Sequence, residues 1–176
     1  VISALQILKQ NKTTIPKGIT RDYPKYEVRG FMLDVGRKAF DFNTVKEFAK
    51  NMAWYKMNNF HLHLSDNLIF LEDYATIDEA VENAYAGFRL ESEIPNLTSE
   101  DTYYTKDEFR SFIKDSRNMG VNIIPEFDMP AHALAITRAF PNLMTKEAGG
   151  NHKYLIEELD IRKDGALDAA QSVWAQ

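Results

Sequence analysis

The stretch that most restricts the possible folds is residues 121–132, VNIIPEFDMPAH, a β-branched apolar run ending in two carboxylates, a proline and a histidine. Val121, Ile123 and Ile124 are strong strand formers, and the preceding Asn118, Met119 and Gly120 supply a helix stop, so a buried strand is predicted here. Alternation puts Asn122, Ile124, Glu126 and Asp128 on one face, the two carboxylates near the carboxyl end. Pro130 cannot donate to a ladder and closes the strand, leaving His132 to open the next loop or helix within reach of Asp128. Carboxylates and an imidazole at a strand's carboxyl end are what a parallel sheet or barrel presents to a ligand. The same residues can also serve as turn caps.

Two earlier stretches repeat the pattern. Residues 28–35, VRGFMLDV, read as a strand with Arg29 and Gly30 at its start and Asp34 near its end. Residues 59–65, NFHLHLS, alternate in period two, so His61 and His63 share the face opposite Leu62 and Leu64. Asp66 follows, on the leucine face if the strand persists that far.

Helices separate these strands. Asp41 and Asn43 are cap candidates ahead of an apolar stripe of Val45, Phe48, Ala49, Met52, Ala53 and Met57. Thr105 with Glu108 forms a capping box opening a helix over 106–119, with Phe109, Phe112 and Ile113 inward. Residues 1–10 read as helix, 11–27 as a proline-punctuated connector, and 67–104 as a long connection holding at most a short helix in IDEAVENAY. Tyr103 and Tyr104 end that connection and are candidates to line a site. Beyond the third strand the sequence predicts a helical stretch at 132–140, a polar excursion at 142–155 and a helix at 163–176. Alternating βα units imply parallel strands in an α/β fold, and three strands are too few to close a barrel.

At 176 residues the chain suits one domain with a real core. Its net charge of −5 argues against nucleic acid or an anionic membrane surface as the main partner and favours an uncharged substrate. With no cysteine, neither disulfides nor thiolate chemistry is available. No apolar run approaches a membrane span, and the amino terminus looks like the middle of a helix rather than a secretion signal, which suggests a chain cut from something longer.

The carboxyl ends of the three strands collect Asp34 and Arg37, Ser65 and Asp66, and Glu126, Asp128 and His132. His61 and His63 have a spacing that can share a cation. A His63–Glu126 pair among inner polar residues accounts for them better, so the sequence is read with no metal and no cofactor. It has no nucleophile elbow and no glycine-rich phosphate loop.

RGFMLDVGRKAF, MAWYKMNNFHLHLSDN and YYTKDEFRSFIKDSRNMGVNIIPEFDMPAH resemble, in order and spacing, the first three βα units of glycoside hydrolase family 20, the β-N-acetylhexosaminidases. The resemblance implies a partial (β/α)8 TIM barrel over residues 26–176, preceded at 1–25 by the end of a small α+β domain. It implies release of terminal β-linked N-acetylhexosamine from glycans. The substrate's own acetamido oxygen is the nucleophile, an Asp orients it, and an adjacent Glu is the acid. Carried over by motif, Arg29 would bind sugar hydroxyls, Asp128 and His132 would stand behind the acid, and Asp66 would partner that histidine; Glu126, His63 and Asp34 would be inner polar residues. The Asp-Glu pair itself has no counterpart here, so the chain alone is expected to be inactive. Ala131 replaces the glycine usual in M-P-G-H, and Asn67-Leu68 stands where a second Asp and a later Gly-Trp are common. The alternatives are release of a disaccharide, as by lacto-N-biosidases, or a non-catalytic carbohydrate-binding half barrel that self-associates through its open sheet edges. An extracellular or cell-surface location rests on the resemblance alone.

Overall fold

A computed structural model of the protein describes residues 1–129 and 131–143. The predicted closure at Pro130, most of the polar excursion and the helix at 163–176 lie outside the described residues.

Three strands form the parallel part of the sheet: β1 (Gly30–Asp34), β2 (Asn59–Leu68) and, at its other edge, the segment Asn122–Phe127. A fourth, β3 (Tyr85–Phe88), comes between them in the chain, so the last is β4. β2 is central. Its first half pairs in parallel with β1 on one side and β4 on the other. Its second half outruns β1, and there β3 joins it antiparallel, from Ser65↔Phe88 to Leu68↔Tyr85. Ser65 pairs with both Phe88 and Phe127, so β3 and β4 lie on opposite edges of β2. β3 therefore continues the edge that β1 leaves.

The sequence predicts no strand in 67–104, and the reason is local. YAGF has two small residues and no alternation, and pairs because a ten-residue central strand leaves donors and acceptors unmet beyond its shorter neighbour.

Among the described residues five α-helices accompany the strands: α1 (Ile2–Asn11), α2 (Phe42–Trp54), α3 (Ile77–Glu82), α4 (Lys106–Asn118) and α5 (Leu134–Ala139). Asp41 caps α2, its side chain accepting from the backbone N–H of Asn43 and Thr44. Thr105 and Glu108 close the expected capping box on α4, a device that contributes about 1 kcal/mol. Gly120, at φ 85°, takes the left-handed conformation that ends α4 and turns the chain into β4.

α2 and α4 cover one face of the sheet. Phe60, Leu62 and Leu64 of β2 and Ile123 of β4 pack there against Val45, Ala49, Met52, Phe109 and Phe112, all buried. Tyr104 belongs to this core rather than to a site: its ring stacks on Phe42 at 4.4 Å and its hydroxyl donates to the Phe40 carbonyl. Burial pushes that phenol up to about 12. Tyr103 is exposed. A second cluster joins Phe88, Leu97, Ala133, Ala135 and Ile136, with Phe127 stacked on Phe88 at 4.7 Å. The sheet's other face carries Met32, Ile124 and the ionisable residues described next. No helix among the described residues is long and apolar enough to cross a membrane.

Candidate functional site

Register places Asp34 of β1 beside His63 of β2, and His63 beside Glu126 of β4. One row across three strands thus holds a carboxylate, an imidazole and a carboxylate. His61, two residues earlier on the same face, shares Glu126: its Nε2 lies 2.8 Å from Oε2, and the Nδ1 of His63 lies 2.9 Å from the same oxygen. The predicted shared face of the two histidines and the His63–Glu126 pair are both present.

Asp66 does not follow the expected alternation. The β2–β4 register jumps from His63↔Glu126 to Ser65↔Phe127, so Leu64 is an extra residue and β2 bulges. The extra residue reverses parity. Instead of facing the leucines, Asp66 turns back to its own strand's histidine, with Nε2 of His63 2.6 Å from Oδ2. Four groups then converge on a carboxylate whose side chain has no exposed surface: the His63 imidazole, the Arg37 guanidinium at 2.8 Å, Nδ1 of His132 at 2.9 Å and the backbone N–H of Asn67 at 2.6 Å. So many charge-assisted partners are what keeps a buried carboxylate tolerable.

Arg37 reaches Asp66 with one guanidinium nitrogen and Asp34 with another, at 2.6 Å, while its backbone N–H also donates to Asp34. Its side chain remains 38% exposed, so the guanidinium is both anchored and accessible. Asp34, His63 and Asp66 offer ligand atoms within 4.8 Å of one another. Arg37 already places a positive charge between the two carboxylates.

Both ring nitrogens of His63 face carboxylates, and only the imidazolium donates to both. Burial opposes that charge, but the hydrogen bonds to Asp66 and Glu126 outweigh it and hold the imidazole above its ordinary value. Burial likewise works against the Asp34 carboxylate, and the Arg37 bonds overcome it, holding Asp34 below the usual range.

Of the expected site residues, Arg29 stands apart from the cluster, whereas Asp128 keeps its place at the carboxyl end of the sheet. Arg29 precedes β1 at its amino end, where Nε donates to the Lys56 carbonyl at 2.7 Å and Nη1 to the carbonyls of Tyr26 and Glu27. It clamps a turn at the opposite end of the strand from the cluster; the accessible guanidinium at the carboxyl end is that of Arg37. Asp128 lies just past β4, and its backbone N–H donates to Ser65 Oγ at 3.1 Å. His132 meets Asp66 rather than Asp128, adopting a left-handed φ of 59° beside Ala131. Two surface concavities, about 380 Å³ between α2 and α4 and about 470 Å³ beside β3 and α5, share no lining residue with the cluster.

The site is thus a linked set of acids, imidazoles and one arginine at the carboxyl ends of parallel strands, with Arg37, Glu126 and His132 open to solvent. Comparison with known proteins gives it a context. Residues 26–172 match the family model described as glycosyl hydrolase family 20, catalytic domain. A β-hexosaminidase of Akkermansia muciniphila is 30% identical over 153 residues, covering 81% of this chain and 30% of that protein. An N,N'-diacetylchitobiase of Vibrio harveyi is 30% identical over 168 residues, 86% of this chain and 19% of that one. Among solved structures, a chitobiase of Flavobacterium johnsoniae superposes with a TM-score of 0.56 at 31% identity, over 73% of this chain and 19% of that one. A β-N-acetylhexosaminidase of Bacteroides fragilis gives 0.60 at 25% identity, over 86% and 30%. The chain spans 30% or less of the length of each of these proteins.

Proposed function

Because the chain belongs to glycosyl hydrolase family 20, we propose that residues 26–176 form the first part of a (β/α)8 barrel catalytic domain that hydrolyses terminal β-linked N-acetylhexosamine. Attack by the substrate's own acetamido group, with retention, is the chemistry this reading adopts. The observation that carries it is the network centred on Asp66, which ties Arg37, His63 and His132 together where parallel strands present their carboxyl ends.

Each member has a physical task in this reading. Arg37 keeps an exposed fork of donors for sugar hydroxyls, fixed in direction by Asp34 and Asp66. His132, held by Asp66, stands half-exposed as the group that contacts and tunes a general acid. His63 holds Asp66 from behind and is itself held by Glu126. Among the described residues no strand ends in an adjacent Asp-Glu, so the network is read as the supporting part of the site.

The test is turnover of chromogenic N-acetyl-β-glucosaminide and N-acetyl-β-galactosaminide by the full natural polypeptide, with His132→Ala alongside. Hydrolysis that falls at least about tenfold in the variant is expected, since acid–base assistance contributes about 10²–10⁴-fold. Sugar binding without turnover favours a non-catalytic lectin-like role, and neither binding nor turnover overturns the reading.

A further inference from the structure

Arg89 lies one residue beyond β3, and its side chain is wholly buried. Its Nε donates to the carbonyl of Val35 at 2.7 Å and its Nη2 to that of Gly36 at 3.1 Å. Nη1 donates to the Thr102 carbonyl at 2.9 Å and pairs with Asp101 at 2.6 Å, and the Tyr85 hydroxyl closes on Nη2. Its own backbone N–H takes the carbonyl of Leu64, the extra residue of the β2 bulge. Burying a guanidinium is costly, and packing alone would be served by an apolar side chain of that volume. What the buried fork does is hold backbone carbonyls in fixed directions.

Those carbonyls have a specific address. Val35 and Gly36 are the two residues immediately before Arg37, and their N–H groups both donate to the His63 carbonyl, at 3.1 and 3.0 Å. The segment is thus gripped from β2 through its N–H groups and from Arg89 through its carbonyls. The contact is backbone against backbone: a Cβ on Gly87 would lie 2.1 Å from the Gly36 oxygen, and one on Gly36 would lie 2.9 Å from Asp66 N. With both sides of residues 35–36 fixed, the Arg37 side chain starts from a set position and spans Asp34 and Asp66.

We propose that Arg89 is a positioning residue: it fixes the turn after β1 so that Arg37 bridges Asp34 and Asp66, and through Arg37 it sets affinity for the terminal sugar. The sugar clause rests on the hexosaminidase reading; the positional clause does not.

The experiment is a double-mutant cycle in the full natural polypeptide with Arg89→Lys, Arg37→Met and both. It reads the His63 titration by histidine-selective ¹³C NMR and the dissociation constant of N-acetylglucosamine. Lysine keeps the charge but cannot reach Val35, Gly36 and Thr102 together. If Arg89 acts through Arg37, Arg89→Lys raises the His63 midpoint, as Arg37→Met does, because less positive charge then faces Asp66 and the imidazolium. Sugar affinity drops about tenfold, and the double variant is no worse than Arg37→Met alone. A lower Tm with His63 midpoint and sugar affinity unchanged, or additive effects, overturns the proposal. Should Arg89→Lys fail to fold, Tyr85→Phe, which leaves Nη2 of Arg89 with the Gly36 carbonyl but without its second partner, is expected to shift both readouts the same way by less; unchanged readouts there overturn it too. If the wild type does not bind the sugar, the hexosaminidase reading fails while the His63 midpoint still decides the positional clause.

Discussion

Replacing Asp66 by asparagine removes one charge and almost no volume, so its effect isolates the electrostatics of the network. The asparagine oxygen, placed where Oδ1 was, keeps the Asn67 N–H and the His132 contact. Its amide NH₂ then stands where Oδ2 was, donor against donor, facing Arg37 at 2.8 Å and His63 at 2.6 Å. Each lost charge-assisted bond is worth about 1.5–3 kcal/mol. The Arg37 share is discounted heavily, because that side chain is 38% exposed and water replaces the carboxylate. His63, 8% exposed, has no such recourse, so the expected penalty is about 2–4 kcal/mol while the imidazole is charged.

The pH dependence follows from the sign of the His63 shift. A histidine held above its ordinary value of 6.5 contributes stability that is complete below that value and is lost as pH rises through the folded-state value. The gap between wild type and Asp66→Asn is therefore widest near about pH 5.5 and narrows toward about pH 9. Asp34 does not blur this window. Held below its ordinary 3.8, it contributes stability above that value and loses it only as pH falls through its lower folded-state value. Urea denaturation at the two pH values measures the gap. An equal penalty at both, or one under about 1 kcal/mol at the acid end, refutes the reasoning.

Gly87→Ala drives a methyl into the Gly36 carbonyl, a backbone atom that cannot rotate away, and is expected to cost about 3 kcal/mol or more; a thermal melt within error of wild type shows that β3 and the β1 turn separate freely. Arg29→Met removes a clamp on three carbonyls and is expected to cost about 1–2 kcal/mol, with N-acetylglucosamine affinity unchanged. An affinity change beyond about threefold would return Arg29 to the site.

Much of the framework was readable because it is local. The Thr105–Glu108 box, the Asp41 cap and the alternation of His61, Leu62, His63 and Leu64 are each settled within a few residues, and each stands in the structure as read. The choice between Arg29 and Arg37 was also within reach. Both flank the same strand, and a parallel sheet presents ligands at its carboxyl ends, where the arginine that follows β1 stands and the one that precedes it does not.

Other features had no local signal. YAGF is a strand only because β2 is longer than β1, a mismatch between segments more than twenty residues apart in sequence. Arg89 looked like any charged loop residue, and its partners at Val35 and Gly36 are more than fifty positions away. Asp66 is the sharpest case. A period of two put it with the leucines, and one unpaired residue in the ladder, Leu64, put it with His63 instead. Hydrophobic periodicity and capping chemistry, acting over a few residues, determined by sequence alone which segments are helices, which are the parallel strands, and that ionisable side chains gather at the strands' ends. Which of those side chains meet was decided only by tertiary structure, because pairing register, strand length and the bulge are relations between segments and no one segment encodes them.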